Sequence, residues 1–144
     1  MKSGPIVLVE DDEDDKNIFE EVLGDLGVDN ELLWFNRSSL AFTYLKAESD
    51  QPFLIVCDVN MPGQNGIDLK AQIDSDAQLR RKSIPFIFYS TSVDKATVTK
   101  AYTELTVQGF FKKLTDYEEI KRHIKLMMDY WSTCYHPNTD QADQ

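Results

Sequence analysis

The chain has 144 residues, 42 % apolar and 28 % charged, with six glycines and five prolines, the composition of one globular domain rather than of a disordered or fibrous chain. Its 15 basic residues stand against 25 acidic ones, a net charge of −10, which argues against nucleic acid as a partner and against adhesion to an anionic membrane. No apolar run approaches the roughly 20 residues of a membrane helix, and the four apolar residues after Met1-Lys2-Ser3-Gly4-Pro5 are too few for a signal peptide.

Ile6–Val9 is a continuous apolar run, which fits a strand buried on both faces. Six acids follow without a break, Glu10-Asp11-Asp12-Glu13-Asp14-Asp15. Asp12, Asp14 and Asp15 read as a solvated helix start favoured by the helix dipole. Ile18, Phe19, Val22, Leu23 and Leu26 then mark one helical face, with Gly27 at the position of a helix-ending glycine. A second strand is expected at Leu32–Phe35. Ser38 is the expected cap of a second helix carrying Leu40, Tyr44 and Leu45.

Phe53–Cys57 is the third apolar run. The segment Ile67–Ile73 alternates, but its place between strands favours a third helix. Phe86–Tyr89 is the fourth strand, with Pro85 at its start, where a missing N–H is tolerated. Val98, Ala101, Tyr102 and Leu105 give the spacing of a fourth helix. Val107–Phe111 is the fifth strand. Thr115 and Glu118 form a capping box ahead of Ile120, Ile124, Met127, Met128 and Trp131, the fifth helix. The chain turns polar after Trp131, so one domain is expected over residues 1–131 and a loose polar tail over 132–144. Cys57 and Cys134 make neither a disulfide framework nor a zinc set and are expected as reduced thiols of a cytoplasmic protein.

Strand–helix alternation repeated five times implies an α/β, (βα)5 doubly wound fold with a five-stranded parallel sheet of order 2-1-3-4-5. Ligands of such sheets bind beyond the carboxyl ends of the strands, where the order reverses. That topology collects Glu10-Asp11-Asp12 after strand 1, Asp58 after strand 3, Ser90-Thr91 after strand 4 and Lys112-Lys113 after strand 5. Clustered carboxylates suit Mg²⁺, which takes one or two of them and keeps several waters. An acidic loop after strand 1 is unlike the N–H-rich loop of a nucleotide or flavin site. The residue types suggest phosphoryl chemistry, with an aspartate as nucleophile and a lysine and a hydroxyl on the phosphoryl oxygens.

Four stretches carry a resemblance: Val9-Glu10-Asp11-Asp12; Cys57-Asp58-Val59-Asn60-Met61-Pro62-Gly63 with Gly66; Ser90-Thr91-Ser92; and Gly109-Phe110-Phe111-Lys112-Lys113. In these the chain resembles the receiver domain of two-component response regulators, a flavodoxin-like fold, from about Pro5 to Met128. The resemblance implies that Asp58 is the phosphoacceptor. It implies Asp11 as a direct Mg²⁺ ligand, Glu10 acting mostly through water, and Asn60 supplying its backbone carbonyl. Lys113 would pair with the phosphoryl group. Ser90 would bond the phosphoryl group and move the loop after strand 4, and Phe110 would be the aromatic switch that follows it. The phosphodonor would be a histidine kinase or a phosphotransfer protein.

Two positions depart from the family pattern: Leu114 stands where a proline is usual, and Ser90 replaces the commoner threonine. No output domain follows the fifth helix in this sequence, so the expected reading is a stand-alone receiver. It would signal to another protein through the face of the fourth helix, fifth strand and fifth helix. It would be a phosphoacceptor assisting its own phosphorylation and dephosphorylation, not an enzyme. Two alternatives remain at this point. One is a binding module that never carries phosphate. The other is an aspartyl phosphatase, which needs a second acid where Asn60 stands.

Overall fold

Strands form where the apolar runs lie: β1 at Ile6–Val9, β2 at Leu32–Phe35, β3 at Leu54–Cys57, β4 at Phe86–Ser90 and β5 at Gly109–Lys112. The computed structural model describes residues 4–47 and 51–137. All strand pairs are parallel and the order is β2-β1-β3-β4-β5, as expected. β1, β3 and β4 are buried along their whole length, whereas every residue of the edge strand β2 is half-buried.

Six helices connect and flank them among the described residues: α1 Glu13–Asp25, α2 Ser38–Ala47, α3 Gly66–Ser75, α4 Ala77–Lys82, α5 Lys95–Glu104 and α6 Tyr117–Thr133. The fifth predicted helix is therefore α6, because α4 was not expected. Asp76 accepts the Leu79 N–H and caps it, and Leu79 is its one buried side chain. Such a short helix shows no period in the sequence.

The side-chain alternation of the strands sorts the core into two halves. Ile6, Leu8, Leu54, Val56, Ile87 and Tyr89 pack under α1 and α6. Val7, Val9, Ile55, Cys57, Phe86 and Phe88 pack under α2, α3, α4 and α5. Gly27 ends the turn after α1 with φ of +69°, a conformation that favours glycine.

Several local expectations need correction. Ser38 does not cap α2. It lies inside the first turn, buried, with its hydroxyl unbonded. Leu40 faces solvent, and Ala41 and Leu45 form the inner face. Tyr102 of α5 is also exposed, and Ala101 alone is buried there. The cap of α6 is Asp116, not Thr115; the neighbouring carboxylate accepts the Glu119 N–H at 3.1 Å. The chain does not loosen at Trp131. α6 runs to Thr133, and His136 is buried, stacked on Phe53 at 5.0 Å and bonded through Nε2 to the Phe53 carbonyl. The rest of the expected tail, from residue 138, lies outside the described residues.

Candidate functional site

Two backbone hydrogen bonds carry sheet pairing one residue past the strand ends. The Asp58 N–H donates to the Val9 carbonyl at 3.0 Å and holds Asp58 beside Glu10. The Lys113 N–H donates to the Ser90 carbonyl at 2.9 Å and holds Lys113 beside Ser90. Strand alternation then turns Lys112 outward and Lys113 inward. Residues as far as 103 positions apart in sequence thus meet at one edge for reasons of register alone.

Lys113 is the centre of the cluster. Its Nζ donates to Glu10 Oε1, to Asp15 Oδ2 at 2.8 Å and to Asp58 Oδ2 at 3.0 Å. Carboxylate oxygens of Glu10, Asp11 and Asp58 lie within 4.8 Å of one another; Glu10 and Asp58 are buried and Asp11 is exposed. Burial pushes the Glu10 carboxyl up to about 7 despite the Lys113 contact. Burial works the other way on Lys113, but its bonds to Asp15 and Glu10 outweigh it and hold the ammonium charged. One cation facing three carboxylates leaves surplus negative charge. Hard oxygen donors around it match a divalent cation such as Mg²⁺ or Mn²⁺, so the donor set fits.

The remaining walls are loops. Asp58 Oδ1 accepts the Asn60 N–H at 3.2 Å. The Asn60 side-chain amide donates to Ser92 Oγ, and the Ser92 N–H donates to Ser90 Oγ at 3.1 Å. This chain of bonds ties the loop after β3 to the loop after β4. Ser90 is fully buried. Phe110 is half-buried and packs on Phe88 with ring centres 5.4 Å apart. The Cys57 thiol donates to the Asp58 carbonyl at 3.1 Å, and burial raises its pKa well above the ordinary value. No described peptide bond is cis, so Lys113-Leu114 is trans, and Leu114 packs into the α1/α6 half of the core.

Gly66 opens α3 against this site. A Cβ there would stand 2.1 Å from the Asp58 carbonyl oxygen.

Every residue expected at the site is present at this sheet end, Phe110 one turn of the pleat below. Asp15, read above with Asp12 and Asp14 as a solvated helix start, instead pairs with Lys113; the bond of Ser92 and the close approach of Gly66, quoted above only as motif residues, were not foreseen. Asp15 does have a signal. It lies three and four residues before Ile18 and Phe19, so it shares their inward face. Asp12 and Asp14 behave as read; Asp12 caps α1, accepting from the Asp14 and Asp15 N–H groups.

Known proteins resemble the chain over nearly its whole length. Response regulator Rcp1 of Synechocystis sp. is 28 % identical over 131 residues, covering 88 % of this chain and 87 % of Rcp1. The crystal structure of the phosphorylated cyanobacterial phytochrome response regulator RcpA superposes with a TM-score of 0.85 at 29 % identity, covering 95 % of this chain and all of that one. The Mn²⁺-bound form of Rcp1 gives a TM-score of 0.82 at 28 % identity, with coverages of 93 % and 99 %. Residues 6–125 match the response regulator receiver domain family, and the chain belongs to that family.

Proposed function

We propose that this receiver accepts a phosphoryl group on Asp58 from a phosphohistidine of a kinase or phosphotransfer protein. The observation that carries the reading is Lys113 Nζ held on Asp58 Oδ2 at 3.0 Å, beside Glu10, Asp11 and Ser90. An Asp58 carboxylate oxygen attacks phosphorus, a P–O bond forms, and the P–N bond breaks with its electron pair returning to the histidine. Lys113 compensates charge on the phosphoryl oxygens. Glu10, Asp11, Asp58 and the Asn60 carbonyl would hold Mg²⁺, which supplies charge neutralisation at the attacking and transferred oxygens.

The Ser90 hydroxyl, bonded to Ser92 in the unmodified protein, turns to donate to a phosphoryl oxygen. Its loss to Ser92 frees the loop ahead of α5, and Phe110 follows on the neighbouring strand. The α5–β5–α6 face is then the one an output protein reads. The domain assists its own phosphorylation and dephosphorylation and turns over no separate substrate. The phosphatase alternative is disfavoured because Asn60 carries no acid and spends its amide on Ser92. The likeness to RcpA favours a phytochrome-type histidine kinase as donor.

The test is the intact mass after incubation with Mg²⁺ and acetyl phosphate. The wild type is expected to gain one phosphoryl group and Asp58→Asn none. Equal gain in both would place the phosphate elsewhere; no gain from acetyl phosphate or from a phosphorylated phytochrome kinase would favour the module that never carries phosphate.

A further inference from the structure

Below Lys113 the two helices on one face of the sheet do not close. A cavity of about 190 Å³ lies between α1, α6 and the segment Lys113–Thr115. Apolar voids of comparable size accept a single aromatic ring. Ile18, Phe19, Leu114, Ile120 and Ile124 form its apolar wall. Glu10, Asp15, Lys113, Thr115 and Tyr89 form the other.

The charged part of the polar wall is one-sided in its spare hydrogen-bonding capacity. An alkylammonium has three N–H donors. Lys113 directs bonds to Glu10, Asp15 and Asp58, and so has none left for an occupant. The spare capacity of the charged groups belongs to acceptors, since each carboxylate can take more than one bond. Asp15 is the accessible one, with 41 % of its side chain exposed against 4 % for Glu10. The Tyr89 and Thr115 hydroxyls are neutral and can donate or accept, so they serve either kind of occupant. An anionic occupant would face two acids, with the ammonium already spent on them. A cationic one meets complementary charge at the mouth and apolar surface inside.

We propose that this cavity binds a small molecule built of one apolar ring or branched chain and a cationic amine, with Asp15 holding the amine. Nothing in this inference needs Asp58 to accept phosphate. Lys113 is common to both sites, so an occupant that draws on Asp15 changes how firmly Lys113 is held against Asp58.

Benzylamine and benzoate serve as the test pair, titrated into the full chain with excess Mg²⁺ in all samples and followed by amide NMR spectra. Benzylamine is expected to shift signals around Ile18, Leu114 and Ile120 saturably, and benzoate to bind at least about tenfold more weakly. Ile18→Trp, which fills the cavity from a half-exposed position, should abolish the benzylamine response. Asp15→Asn, at the start of α1, should remove the preference for the amine. Equal binding of the two compounds overturns the proposal. So does a benzylamine response that survives in folded Ile18→Trp, or an amine preference unchanged in Asp15→Asn.

Discussion

Two lysines pack against opposite ends of this sheet, Lys70 buried and Lys113 half-buried, and the protein compensates them differently. Lys70 of α3 lies near the amino end of β4, 3 % exposed. It bonds Asp74 at 2.9 Å and Thr106 Oγ1 at 3.0 Å, with its Nζ 5.1 Å from the centre of the Phe86 ring. Asp74 in turn accepts the Thr106 N–H and hydroxyl at 2.9 and 2.7 Å. Charges cancel and both polar groups are satisfied. Lys113, at the carboxyl end, faces three carboxylates and cannot balance them. The first cluster is complete as a piece of structure. The second is stable only in company with protons or a cation, which is the condition for a switch.

The sharpest way to break this comparison is at its balanced end. Lys70→Ala leaves the half-buried Asp74 carboxylate with its Thr106 bonds alone and is expected to cost about 1–3 kcal/mol of unfolding free energy, read by urea titration. Phosphorylation of the folded variant should be unchanged. Lys113→Ala should do the reverse. Its phosphorylation rate is expected to fall about 10²–10³-fold, as when one charge-stabilising donor is removed. Its unfolding free energy should change less than that of Lys70→Ala, because Glu10 and Asp58 can take up protons or a cation.

A smaller effect separates the ends by pH. Burial raises the Glu10 carboxyl from its ordinary 4.5 to about 7. The folded state then binds more protons than the unfolded state between these values, so stability falls as pH rises. The contribution is complete below pH 4.5 and gone above about 7. Metal-free unfolding curves should show this slope, and Glu10→Gln or added Mg²⁺ should flatten it. At the other end burial opposes the Asp74 charge, but the Lys70 and Thr106 bonds outweigh it and hold the carboxyl below its ordinary value. That end is expected to lose stability only as pH falls below 3.8. The last change is His136→Ala, which removes a ring stack and one hydrogen bond from Phe53 and an edge contact with Trp131. About 2 kcal/mol is expected from thermal unfolding, with phosphorylation untouched.

The two ends were unequally legible in the sequence. Strands and their order were readable because β1, β3 and β4 are buried on both faces and so carry unbroken apolar runs. That order alone brings Glu10, Asp58, Ser90 and Lys113 together. The Lys70 cluster was invisible: Lys70 and Asp74 look like an ordinary surface pair four residues apart, and only Thr106, 32 positions beyond Asp74, closes over them. Asp15 was hidden by company, one acid among six. The misplaced caps have a common cause. Thr115 and Ser38 each stand at the start of a helix, and the one-residue choice is made by backbone geometry that composition does not record.

The approach of Gly66 to Asp58 has a consequence for anyone ranking positions by their tolerance of change. Adding a single methyl group at residue 66 collides with a main-chain oxygen at 2.1 Å, not with a side chain that could swing aside. Every other amino acid begins with that methyl carbon. In a saturation screen scored on signalling, position 66 will therefore look as intolerant as Asp58 while contributing no functional group. Refolding assays would tell the two apart: Asp58→Asn is expected to keep its shape and lose the proposed phosphoryl transfer, whereas any side chain at 66 displaces the Asp58 backbone itself.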